Sequence, residues 1–389
     1  MMSRNLVLLA VGMLASSGPL HPASAADRLP VGGPVAVVST EGPDRSAKQP
    51  QVAVDAKGRI YVAYGRGNQI RCAISTDGGK SFENRAVGEA GVLSLGMRRG
   101  PRIAVSGGSV VVSAVAGAEG KGRDGDILAW RSTDEGATWS GPTRLNSVEG
   151  SGREGLHAMA SGPDGTLFCA WLDLRNQRTE IFGARSTDGG LTWEPDALVY
   201  QSPDRTVCQC CHPSVAFGLD GTLLVMWRNQ IQNARDLYLS RSDDGGRTFE
   251  AAQKLGRGTW QINACPMDGG AVAALSGGKA DSIWMRAGSI FEAAPGEPER
   301  RLGKGVQGWI APGPGGTYSV WLESRPGKLL ASLPGLEDPI TLADRANDPV
   351  VASAAGGTGP VVAVWEAPPE VGGILSLVLK PSAKSAARP

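Results

Sequence analysis

Three of the chain's six cysteines and one of its three histidines, Cys208, Cys210, Cys211 and His212, fall in the stretch Thr206-Val207-Cys208-Gln209-Cys210-Cys211-His212-Pro213. Thiolates and imidazole are the donors that soft and borderline transition metals select, and Pro213 restrains the backbone beyond the histidine. Three chemistries are open to such a stretch: ligation of a metal ion, covalent haem through the C-x-x-C-H match, and disulfide formation. A second patch, Asn263-Ala264-Cys265-Pro266-Met267-Asp268, adds a cysteine and a thioether. The two remaining cysteines, Cys72 and Cys169, lie inside short apolar runs and read as small buried residues. Whether the two patches meet is decided by the elements that carry them.

Composition bounds those elements. The 389 residues contain 55 Gly and 26 Pro, charged residues make up 20%, and the formal net charge is +1. Short Val/Ile/Leu runs bounded by Gly and Asp recur, and helical periodicity is scarce, which points to an all-β array. So balanced a charge leaves no electrostatic footprint for nucleic acid. Residues 1–25 carry Arg4, an apolar run from Leu6 to Ala15, and Ala23-Ser24-Ala25. That order is a secretory signal peptide, too short to span a bilayer. The expected mature chain is soluble and periplasmic or secreted, where disulfides are permitted, with a leader over 26–33 and no transmembrane segment. Residues 381–389 hold nothing that packs and read as a disordered tail.

The elements themselves repeat. Ser75-Thr76-Asp77-Gly78-Gly79-Lys80-Ser81-Phe82, Ser132-Thr133-Asp134-Glu135-Gly136-Ala137-Thr138-Trp139, Ser186-Thr187-Asp188-Gly189-Gly190-Leu191-Thr192-Trp193 and Ser242-Asp243-Asp244-Gly245-Gly246-Arg247-Thr248-Phe249 share S-x-D-x-G-x-x-aromatic. In such a hairpin turn Asp accepts backbone N–H bonds and Gly takes a conformation that side chains resist. This is the Asp-box, or BNR repeat, and the chain resembles the sialidase-like β-propellers, in particular exported bacterial members with a C-x-C-C loop. Each box follows two further strands, and that fuller unit recurs seven times between Pro50 and Trp365. The expected fold is a single β-propeller over 34–380 with seven blades, six being the alternative. Its last unit lacks a fourth strand, which Pro34-Val35-Ala36-Val37-Val38 supplies, so that an N-terminal strand closes the ring.

In a propeller the loops leading into each inner strand and the loops joining second to third strands open on one funnel face. The Cys208 loop leads into the fourth unit and the Cys265 loop into the fifth, so both patches are expected at one mouth. The expected metal ligands are Cys208, Cys210, Cys211, His212, Cys265 and Met267, with copper first, and zinc or haem c as alternatives. His157, which leads into the third unit, reads as a structural histidine. Asp173, Arg175, Arg228, Asn229, Arg235 and Asp236 are expected to wall the mouth and to give a bound ion or small molecule polar partners. A periplasmic protein partner is a further expectation.

The resemblance implies a competing activity. Sialidases clamp a substrate carboxylate with three arginines and attack with a tyrosine, and an Arg-Ile-Pro signature opens their first blade. Here that place reads Gln49-Pro50-Gln51, and Tyr61, Tyr64, Tyr238 and Tyr318 lie in or beside strands. Fold likeness alone is a weak warrant for glycoside hydrolysis. The reading is therefore metal handling or redox chemistry, against sialidase or other glycoside hydrolase, a scaffold with structural disulfides, or haem attachment.

Overall fold

The computed structural model describes residues 33–39 and 41–380. The expected signal peptide, nearly all of the expected leader and the expected tail lie outside the described residues. Among these the regular secondary structure is nearly all strand, with a few short 3-10 turns, arranged in six antiparallel sheets. Four sheets have four strands, one has five and one has seven. The largest is two units in one, because the strand Ile340–Ala352 serves both. Its first half pairs with Gly327–Ser332 and its second half with Val361–Glu366.

The innermost strands order the molecule. Lys48–Val54, Arg102–Ser106, His157–Ser161, Ser214–Phe217, Ala271–Ala274, Val306–Gly313 and the second half of Ile340–Ala352 pack each on the next, and the last packs on the first. These strands are mostly short, and many of their buried positions are apolar, which lets them pack side by side around an axis. Ring closure is as expected: Val35–Val38 pairs antiparallel with Ile374–Leu379, with Val35 opposite Ser376 and Val38 opposite Ile374. Tryptophans near the ends of second strands, Trp171, Trp227, Trp321 and Trp365, are fully buried between units.

The Asp-boxes have the geometry that their composition requires. In the first, Ser75 Oγ donates to Asp77 Oδ1 at 2.8 Å and accepts from Gly79 N at 2.9 Å, while Asp77 also accepts from Lys80 N and Ser81 N. The other three boxes repeat these bonds around Asp134, Asp188 and Asp244. Antiparallel pairing puts the boxes at the opposite end of the sheets from the loops that lead into inner strands, because Ser75 stands opposite Ile60 at the start of its neighbour.

Candidate metal centre

The cysteine loop sits on the face away from the boxes. Cys208 N donates to Arg228 O at 3.0 Å and Val207 N to Thr179 O at 3.0 Å, so the loop is anchored at its first residues. The chain then turns and enters the inner strand through Pro213. This brings three sulfurs together: Cys208 to Cys211 at 3.3 Å, Cys208 to Cys210 at 3.7 Å and Cys210 to Cys211 at 4.0 Å. All three ligand atoms lie within 4.8 Å of one another. Cys208 and Cys211 are buried and Cys210 is half-buried. A common ion with metal–sulfur bonds of about 2.3 Å would hold sulfurs about 4.0 Å apart in a trigonal plane and about 3.8 Å apart at tetrahedral angles, close to the observed triangle.

The trio favours one negative charge. Hydrogen bonding with Cys210 and Cys211, with the nearby Arg228 guanidinium, lowers the pKa of Cys208 despite burial and favours its thiolate. That thiolate in turn holds Cys210 above the ordinary thiol range, and burial does the same to Cys211. Cys265 approaches from the next loop: it is exposed, and its hydrogen bonding to Cys210 helps to keep that thiol protonated. The isolated cysteines behave as expected of buried strand residues, with burial pushing Cys72 and Cys169 up to about 12.

His212 departs from the expectation. It is outside the group of three sulfurs, and its ring stacks on Trp309 with centroids 5.5 Å apart and planes 13° apart. Cys211 lies in a bend and His212 two residues ahead of the inner strand Ser214–Phe217, so the chain changes direction between the sulfurs and the imidazole. Burial, then Arg98 and Arg102, hold its pKa well below the ordinary value, so the ring is neutral. Neither ring nitrogen has a hydrogen-bond partner. Met267 is half-buried at φ 56° in the Cys265 loop. His157 is structural, with Nε2 3.0 Å from Ser113 Oγ.

The expected polar wall is held within the protein. Asp173 is fully buried and accepts from Ser151 Oγ and Trp171 Nε1 at 2.8 Å. Arg175 pairs with Asp173 and Asp196 and lies 3.9 Å from the Phe182 ring centre. Arg228 is buried and donates to the carbonyls of Asp268, Arg235 and Met285, tying the fourth unit to the fifth. Asn229 donates to Tyr200 Oη at 2.7 Å, and Asp236 accepts from Trp260 N and pairs with Lys254. Arg235 is half-buried and its Nε has no partner.

Sequence reasoning missed a polar belt on the far side of the same face. Gln49 Nε2 and Gln307 Nε2 both donate to Asp348 at 2.7 Å, and Gln49 N donates to Glu366 at 2.7 Å. Gln49, Gln307 and Asp348 have positive φ and sit at register shifts, the first two near the starts of their strands and Asp348 midway along Ile340–Ala352. A cavity of about 380 Å³ opens over Gln49, Asp348, Glu366 and Arg325. Burial and the Asp348 charge push Glu366 up to about 7. The available signal was the recurring residue-before-proline, Gln49-Pro50, His212-Pro213 and Asp348-Pro349.

With the geometry in place, likeness to known proteins can be read. A model of the BNR repeat-like domain matches residues 101–280. Over those residues the chain is similar to the Asp-box, or BNR-repeat, proteins, and its fold is that of a β-propeller. Similar solved structures include a Hadza microbial sialidase, 16% identical over 90% of this chain and 69% of that one, TM-score 0.55. A Staphylococcus aureus virginiamycin B lyase is 14% identical over 89% and 98%, TM-score 0.53. A Penicillium chrysogenum α-L-arabinanase is 13% identical over 90% and 98%, TM-score 0.52. These likenesses concern the fold of the propeller. No curated protein matches it in sequence.

Proposed function

We propose that this is an exported seven-bladed propeller that binds Cu(I) at Cys208, Cys210 and Cys211, with Cys265 at the rim, and serves metal handling or redox chemistry in its compartment. The observation that carries the reading is the triangle of sulfurs 3.3 to 4.0 Å apart in a partly buried loop. Three sulfurs without a fourth donor in the group suit trigonal Cu(I) better than tetrahedral zinc, and thiolate is the donor class that Cu(I) selects. The low first pKa of the trio means that a thiolate is present at neutral pH to begin ligation. Arg175 and Arg228, two arginines that a substrate clamp would need, are already engaged within the protein.

The test is elemental analysis and a visible spectrum of the exported protein, followed by Cu(I) competition with a chromophoric chelator. One tightly held copper per chain is expected, falling below a tenth in Cys210→Ser/Cys211→Ser. Unchanged copper in that variant, four thiols paired as disulfides in copper-replete protein, or a haem spectrum would overturn the reading. Turnover of a fluorogenic sialoside that survives loss of the cysteines would transfer it to glycoside hydrolysis.

A further inference from the structure

The Asp-box turns do more than close hairpins, because each faces the unit before it. A Cβ on Gly79 would meet Val378 at 3.0 Å, on Gly136 Ile74 at 2.6 Å, on Gly190 Val111 at 2.7 Å and on Gly246 Phe168 at 2.5 Å. The box rings go the same way. Phe249 packs edge-on against Phe168 with centroids 5.8 Å apart, and Trp193 packs in a cluster that holds Val111 and Val115 of the preceding unit. Each box is thus a plug, and each preceding unit offers a socket.

The socket can be followed by register. Val111 stands opposite Arg131, Phe168 opposite Arg185 and Leu224 opposite Arg241, so Leu224 is the fourth unit's socket residue. The fifth unit has no plug to offer it. After the strand Ser289–Ala293 the chain reads Ala294-Pro295-Gly296-Glu297, with neither the Ser-x-Asp pair nor the aromatic residue. A cavity of about 480 Å³ opens there between the two units, floored by Leu224 and Leu239.

Its rim is acidic. Glu250, Asp281 and Glu297 line it with Lys279 and Arg241, and Arg241 is already paired with Asp243 at 2.7 Å. Three carboxyls therefore face one unpaired cation. Asp281 is pushed up to about 7 by burial and by neighbouring Glu292, whose own partner Arg300 lies at 2.6 Å. An incoming cation would offset the repulsion from Glu292 and favour the carboxylate.

We propose that this socket binds an aromatic ammonium, its phenyl- or indole-sized ring seated on Leu224 and Leu239 where the earlier units receive a box ring, and its ammonium on the Asp281 carboxylate. The site is independent of the copper loop and at the opposite end of the sheets. Calorimetric titration of the full chain with tryptamine is expected to give one site. Indole-3-acetate, the same ring with the charge reversed, is expected to bind at least tenfold more weakly. Asp281→Asn is expected to weaken tryptamine at least fivefold and leave neutral indole unaffected, and Ala251→Trp, at the exposed rim, to block both. No tryptamine binding, equal affinity for tryptamine and indole-3-acetate, or binding unchanged in both variants would overturn the proposal. The comparison of the two charges uses the unaltered protein, so it decides the matter even if a variant fails to fold.

Discussion

Cysteine chemistry in this protein is set by neighbours. Cys169 and Cys208 are both buried, yet one is surrounded by a strand core and the other by two sulfurs and a guanidinium. The first thiol stays protonated, and the second yields a thiolate that metals select. Acidic groups show the same dependence on neighbours. Glu366 is held at about 7 by burial and then by Asp348, above the value of about 4.3 expected of the unfolded chain. Folding therefore favours its protonated form. That contribution to stability is full below about pH 4.3 and disappears as pH rises through about 7. The thermal midpoint should fall between pH 5 and pH 8, and Glu366→Gln should flatten the decline; an equal slope in both proteins would show that Glu366 is not the group responsible.

At the scale of elements, the Asp-box is both turn and inter-unit contact, and the two roles separate by glycine. Gly78 has φ 76° with nothing within 4 Å of an added Cβ, whereas Gly246 has φ 99° and would drive a Cβ to 2.5 Å from Phe168. Gly78→Ala meets only backbone strain, about 1 kcal/mol. Gly246→Ala adds a clash in a packed interface, for a total of about 2 to 4 kcal/mol. Chemical unfolding of the two variants should show that ordering, and equal losses would mean that the box contributes nothing across the interface. The register shifts show a second device. Gln49, Gln307 and Asp348 take positive φ at bulges and thereby turn their side chains toward one another, a use of bulges that re-aims side chains at the rim of a sheet.

For the whole molecule, closure is the decisive event. Val35–Val38 covers the edge of Ile374–Leu379, and Val37 and Val38 are buried in a cluster with Val350, Val362 and Ile374. Removing residues 33–39 should cost roughly 3 to 5 kcal/mol from lost valine burial, and should leave an open edge that pairs with other chains. Light scattering on the shortened protein should show association, and a monomer of unchanged stability would mean that the ring closes without this strand.

Much of this was legible in the chain itself. Ser-x-Asp-x-Gly-x-x-aromatic names a turn whose bonds are all local, so the four boxes and the β-propeller class followed from residues a few positions apart. Short apolar runs at regular spacing likewise marked the inner strands, and the unpaired seventh unit pointed to Val35–Val38. Contacts between distant segments were a different matter. That Cys208, Cys210 and Cys211 converge while His212 turns to Trp309 depends on the path of the loop ahead of the inner strand. Arg228 looked like a free polar wall because two of its three carbonyl partners, those of Asp268 and Met285, lie 40 and 57 residues further along the chain. The Gln49, Gln307, Asp348 and Glu366 belt spans more than 300 residues of sequence, and the socket over Leu224 arises from a box absent in the following unit. Local hydrogen bonding and hydrophobic period are written in neighbouring residues, whereas the pairing of charges and the shape of cavities exist only once the ring has closed.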